Sequence, residues 1–279
     1  MQLESLEVSL FYLLVISYLI SMILYWVWLS LKQEAIGKLA TVAAVIGAVA
    51  NTAALLVRWI ITQRPPLSNG YEFILTFALG IVVVYLFAEF RYKLKALGSF
   101  VMPVVFLLLI FVVLAMGPEE RVAGAIPPAL KSKWLTFHVL TAMFAYGAFA
   151  ISFGLGIMYL LKDGRQVVSK TSWLARVPSP EVLDELAYKV VTFAFPMLTL
   201  CIVTGAIWAN YAWGTYWSWD PKETWSLITW IIYAAYLHAR LMYGWKGRRA
   251  AWMAILGFVA VLFTFFGVNY FLPGLHSYA

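Results

Sequence analysis

The chain has 279 residues, of which 63% are hydrophobic and 12% charged, whereas a soluble domain carries about 25% charged residues. This excludes an ordinary soluble enzyme and indicates a polytopic integral membrane protein, one membrane domain over 1–279. The net charge of +7 reads as a set of membrane topology signals, and nucleic acid is not an expected partner.

A helix crossing the hydrocarbon core needs about 20 apolar residues. Eight segments qualify, at 8–31, 36–61, 71–90, 96–116, 134–161, 187–212, 223–244 and 250–268. The expected fold is an all-α bundle of about eight transmembrane helices. The first segment is not followed by a small-residue cleavage site, so it reads as a true helix rather than a cleavable signal.

The intervening loops set the orientation. Twelve basic residues flank one side: Lys32, Lys38, Arg91, Lys93, Lys95, Lys162, Arg165, Lys170, Arg176, Lys246, Arg248 and Arg249. Five flank the other: Arg64, Arg121, Lys131, Lys133 and Lys222. Basic loops stay in the cytoplasm, which predicts both termini to be extracytoplasmic. In the longest inner loop, Ser179-Pro180-Glu181 could start a short amphipathic helix leading into the sixth span.

Six of the thirteen tryptophans, Trp208, Trp213, Trp217, Trp219, Trp225 and Trp230, fall within 206–230. An interfacial aromatic belt accounts for two or three of them. A surface that holds a flat, apolar ligand accounts better for all six, with Tyr211 and Tyr216 beside them. If the sixth helix continued past Trp213, Trp213 and Trp217 would share a face. Asp220, Pro221 and Glu223 have a second reading as the N-cap, first residue and reciprocal capping partner of the seventh helix.

There are three histidines. His138 lies just inside the outer end of the fifth span, and His276 lies in the outer tail. Topology puts both on the face of the tryptophan segment, an arrangement suited to bis-axial ligation of haem iron. His238 lies about fifteen residues into the seventh helix, ~22 Å deep at 1.5 Å per residue. There an ionisable group is a functional candidate whose counterpart would come from another subunit. Cys201 is the one cysteine, so thiol chemistry would act on thiols of another molecule.

The run Trp213-Gly214-Thr215-Tyr216-Trp217-Ser218-Trp219-Asp220-Pro221-Lys222-Glu223-Thr224-Trp225-Ser226 resembles the WWD signature of haem-handling proteins. Four further stretches narrow the resemblance to the CcsA/ResC type of system II cytochrome c biogenesis: Leu227–Trp230, Tyr236–Arg240, Gly274–Tyr278 and Pro66–Glu72. That resemblance implies haem b as bound ligand and substrate, with His138 and His276 as catalytic axial ligands at an outer site. It implies contacts from Trp208, Trp213, Trp217, Trp219, Asp220 and Trp225, and a transmembrane haem site at His238 shared with a CcsB/ResB-type partner. The implied activity is cytochrome c synthase (haem lyase) chemistry on an apocytochrome c, in a bacterial inner membrane or a plastid thylakoid membrane. The alternative is a haem exporter or chaperone that forms no covalent bond. Lys222, Arg64 and Arg121 are candidates for the haem propionates, and the resemblance lets Asn69 and Glu72 shape the outer pocket.

Overall fold

The computed structural model describes residues 2–31, 33–122, 126–165, 172–272 and 274. Eight long helices follow in order: α1 (Gln2–Leu31), α2 (Glu34–Thr62), α3 (Gly70–Tyr92), α4 (Gly98–Ala115), α5 (Lys133–Lys162), α6 (Pro180–Trp213), α7 (Pro221–Tyr243) and α8 (Arg248–Leu262). α8 runs on through a π-helical turn, Phe263–Gly267, and a final turn, Val268–Phe271. Among the described residues there is no strand, and the all-α polytopic fold is as expected.

Seven of these helices, α1 to α6 and the combined Arg248–Phe271 segment, are long and apolar enough to cross a membrane. α7 is the exception and corrects the expectation of eight apolar spans. At 23 residues it has the length, but its tryptophans, tyrosines, His238 and Arg240 lower its apolarity. α6 corrects another expectation. It begins at Pro180, in the favoured first helical position, and runs unbroken for 34 residues. The short amphipathic helix expected after Ser179 is the first part of α6 itself.

α5 is the central helix, packed against α3, α6 and α8, while α1 and α2 pair along one flank. Small residues allow this closeness. A Cβ on Gly147 would lie 2.7 Å from the Gly80 carbonyl oxygen, and one on Gly80 would lie 2.8 Å from the Met143 carbonyl oxygen. The α3 and α5 backbones therefore cross in direct contact, the packing that membrane helices reach with glycine. That crossing sets Phe73, Thr76 and Phe77 beside His138, Val139 and Ala142, where the cavity forms.

Polar contacts sort the loops into two ends. At the tryptophan end, Arg58 of α2 binds Glu7 of α1 and Glu72 of α3, each at 3.0 Å. At the other end, Arg240 of α7 makes a two-point pair with Asp184 of α6, at 2.9 and 2.7 Å. Asp184 also accepts the Gly247 N–H at 2.8 Å, tying the α7–α8 turn to the start of α6.

Candidate haem-binding cavity

A cavity of about 1070 Å³, counting its open mouth, lies between α3, α5, α6, α7 and the π-helical turn after α8. Ligand pockets are mostly apolar with a few placed polar groups. The lining follows that pattern: Phe77, Leu135, Met143, Ile202, Trp208, Trp217 and Phe265 supply apolar wall, with His138, Thr76, Lys222, Glu223 and Thr264 among them.

His138 is held on three sides. Its Nδ1 lies 2.7 Å from the Cys201 carbonyl oxygen. A carbonyl only accepts, so Nδ1 carries the proton and Nε2 is the basic nitrogen. Ligating histidines are fixed in this way by a backbone carbonyl. The ring stacks on Trp208, centroids 6.0 Å apart and planes 24° off parallel. One turn beyond Cys201, a Cβ on Gly205 would stand 2.7 Å from Nδ1, so only glycine leaves room for the ring.

Trp208 is 2% exposed and donates its indole N–H to the Ala129 carbonyl at 2.8 Å. Trp213 meets it edge-on at 5.0 Å. α6 ends there: Gly214 takes the left-handed conformation (φ +76°) that closes helices at this position. The helix does not continue past Trp213, so Trp213 and Trp217 do not share a helical face. Trp217 instead lines the cavity from the link, with Trp219 edge-to-face against it at 5.7 Å. Trp219 is 69% exposed and also left-handed, at φ +60°. Trp225 packs on Phe263 at 4.1 Å, and Trp230 donates to the Thr199 hydroxyl at 2.9 Å; both brace helices.

The capping reading of Asp220 and Glu223 holds. The Asp220 carboxylate accepts the Lys222 N–H at 2.9 Å, and Glu223 Oε2 accepts the Asp220 N–H at 3.2 Å and the Ser218 N–H at 2.8 Å. This box folds the link back so that Tyr216 and Trp217 face the cavity. Glu223 Oε1 is buried without a hydrogen-bond partner in a side chain that lines the cavity. Lys222 donates to Asn269 at 2.9 Å, pinning α7 to the end of α8.

Other expectations meet the structure unevenly. His276 lies outside the described residues. Gly274, two positions before it, is described and sits against Asp220: a Cβ there would be 2.5 Å from Oδ2. His238 is exposed on the outer surface of α7, its ring edge-to-face with Tyr243, centroids 5.7 Å apart. It is twelve residues beyond Ser226 of the cavity, ~18 Å along the helix. Arg64 is engaged by Glu72, at 2.9 and 3.1 Å. Arg121 donates to the carbonyls of Val112, Val113 and Met116, closing the end of α4. Asn69 caps α3 by accepting the Glu72 N–H at 2.8 Å. Sequence reasoning overlooked Gly205 and the π turn that carries Thr264 and Phe265. The one available signal was Cys201-x-x-x-Gly205, two positions on one helix face.

Fold and site together define a class: a polytopic helical membrane protein with an apolar, histidine-walled cavity under a tryptophan-rich link. Residues 67–276 match the family described as "Cytochrome C assembly protein". The chain is 39% identical to the cytochrome c biogenesis protein CcsA of Guillardia theta, over 93% of this chain and 92% of that protein. It is 35% identical to the CcsA of Gloeobacter violaceus, over 91% and 90%. It belongs to the CcsA type of the cytochrome c assembly family, and its role lies in cytochrome c maturation. Among solved structures its fold matches the cytochrome c haem lyase CcmF, with a TM-score of 0.71 at 18% identity. The match covers 95% of this chain but 47% of that one, so the chain spans about half the length of CcmF.

Proposed function

We propose that this protein holds haem b in the cavity beside His138 and attaches it covalently to an apocytochrome c. In this reading the tryptophan end faces the extracytoplasmic or lumenal side of a bacterial inner membrane or a thylakoid membrane. The excess of basic residues on the opposite loops supports that orientation. The observation that carries the reading is His138, a histidine with its Nδ1–H committed to a carbonyl and its ring in the wall of an apolar cavity that opens beneath the tryptophan-rich link.

His138 and His276 are the two axial ligands in this proposal; the placement of Gly274 against Asp220 supports bringing the tail to this end. Trp208 and Trp217 form the apolar surface, with Trp213 edge-on against Trp208, and the Asp220–Glu223 box holds the link over it. The remaining work is positioning, which can supply several kcal/mol once the reacting atoms are within near-attack distance. Each thiol of a Cys-x-x-Cys-His segment adds across one vinyl group. A carbon–sulfur bond forms, the vinyl π bond opens, and the thiol proton ends on the neighbouring vinyl carbon, with no net oxidation. The segment's own histidine then replaces one of the chain's two ligands, which favours release. His238, exposed on α7, serves a second haem site completed by a CcsB/ResB-type membrane partner, so the synthase is the complex.

The test is coexpression of the chain, its partner and an apocytochrome c. His138→Gly should abolish thioether formation, read by haem stain on a denaturing gel, and added imidazole should restore part of it. Intact attachment in that variant would end the axial-ligand role. Haem bound to the wild-type complex without any thioether product would favour the exporter or chaperone reading.

A further inference from the structure

A second open space lies at the end of the bundle away from the tryptophans. α2, α3 and residues 93–96, 176 and 178 wall a groove of about 1580 Å³, its open side included. Its lip consists of Val42, Val45, Ile46 and Phe90, all exposed on two membrane-spanning helices. Its upper rim is basic, with Lys38, Lys93, Lys95 and Arg176. The groove is thus apolar along the flank of the bundle and basic where the helices end.

Most of the charge around it is already committed. Lys95 lies 3.6 Å from Glu34. Glu89 accepts hydrogen bonds from Tyr25 at 2.8 Å, Tyr85 at 2.5 Å and Thr41 at 2.6 Å, so both its oxygens are occupied. The Arg176 guanidinium stacks over Trp28 at 4.4 Å and donates to its carbonyl. Lys38 and Lys93 differ: both are exposed, and among the described residues neither makes an ion pair. Lys93 is presented by the left-handed residue that ends α3, at φ +58°. Two uncommitted ammonium groups therefore stand above an apolar channel that opens sideways between spanning helices.

We propose that this groove binds an anionic phospholipid of the surrounding leaflet. An acyl chain lies along Val42, Val45, Ile46 and Phe90, and the phosphate sits between Lys38 and Lys93. Basic pockets at helix ends recognise anionic headgroups in this way, each lysine being worth about five-fold in affinity. A lateral opening admits lipid, which no diffusing solute outnumbers there.

The full-length protein, reconstituted in phosphatidylcholine vesicles with or without phosphatidylglycerol, is read by native mass spectrometry of retained lipid. Wild type should keep phosphatidylglycerol in preference, and the Lys38→Gln/Lys93→Gln double variant should lose about five-fold of that preference per lysine. Lys246→Gln, exposed at the same end but outside the groove, should keep it. Equal retention of the two lipids, an unchanged double variant, or an equal loss in Lys246→Gln would overturn the proposal. So would displacement of the retained lipid by protoporphyrin IX, which would assign the groove to a carboxylate-bearing porphyrin. Lipid retention is read without haem, so its failure is independent of the fate of the His138 site.

Discussion

At the tryptophan end, the polar groups between α1, α2 and α3 answer one another, whereas those around α5, α6 and α7 border an apolar space. Arg58, 3% exposed, reaches Glu7, Glu72 and the Arg121 carbonyl. Glu72, fully buried, also takes Arg64 and the Ser68 N–H. Two carboxylates and two guanidiniums thereby lock three helices together. Across the bundle, His138 is oriented by the Cys201 carbonyl in the cavity wall, and Glu223 turns an unpartnered oxygen inward. Buried charge is costly unless it is paired, so charges paired this densely mark structure, although Arg58 Nη2 and Arg121 Nε keep no hydrogen-bond partner. Polar groups held rigidly around an apolar cavity instead leave capacity for a ligand.

The contrast can be broken from either side. The largest expected effect is Arg58→Leu, which strands Glu7 and leaves Glu72 with Arg64 and the Ser68 N–H. Losing one partner of a buried ion pair costs about 3–5 kcal/mol, visible as a lower thermal midpoint in detergent, with the haem spectrum of the surviving folded fraction unchanged. A loss below about 1 kcal/mol would show that the network does not hold the three helices. Gly205→Ala comes next, at about 1–3 kcal/mol for overpacking, because the new methyl group meets the His138 ring. Here the bound-haem spectrum should change along with stability, and the Gly205→Ala/His138→Gly double variant should recover much of the stability loss. Strict additivity would remove the contact as the cause.

Asp220→Ala should cost about 1 kcal/mol through the lost cap and weaken haem retention by loosening the link that carries Trp217. Retention measured after gel filtration separates that from a purely local effect. Trp219→Gly should have the smallest effect. Glycine takes the left-handed conformation without strain, so stability should hold or rise by up to about 1 kcal/mol. Haem retention should fall far less than in Trp217→Ala; an equal fall would make Trp219 a direct contact despite its exposure.

Much of the candidate site's layout was legible in advance. The Trp-rich run, the Asp-Pro-Lys-Glu helix start and the position of His138 are local or periodic signals, and local chemistry enforces them. The capping box needs only residues 220–223. What could not be read depended on which helices touch. Nothing in sequence spacing says that α3 and α5 cross at Gly80 and Gly147, or that Gly205 faces His138 across helices. Nor does it say that Glu72 answers arginines on α2 and on the loop after it. The tryptophans were partly misjudged for the same reason. Six looked alike in sequence, yet only Trp208 and Trp217 line the cavity, while Trp225 and Trp230 hold helices together.

The sequence by itself determined the class of the molecule: an apolar chain in helical lengths, loops of unequal charge, and an aromatic link with a helix start built into it. These follow from the cost of an unsatisfied backbone in lipid and from capping chemistry that acts within a few residues. Only the tertiary structure decided how His138 is oriented at the cavity, through the Cys201 carbonyl and the space left by Gly205. It also decided that Arg64 and Arg121 serve the fold, and that two lysines at the far end stand uncommitted over an apolar groove. Such choices turn on distances between helices far apart in the chain, and helix packing alone sets them.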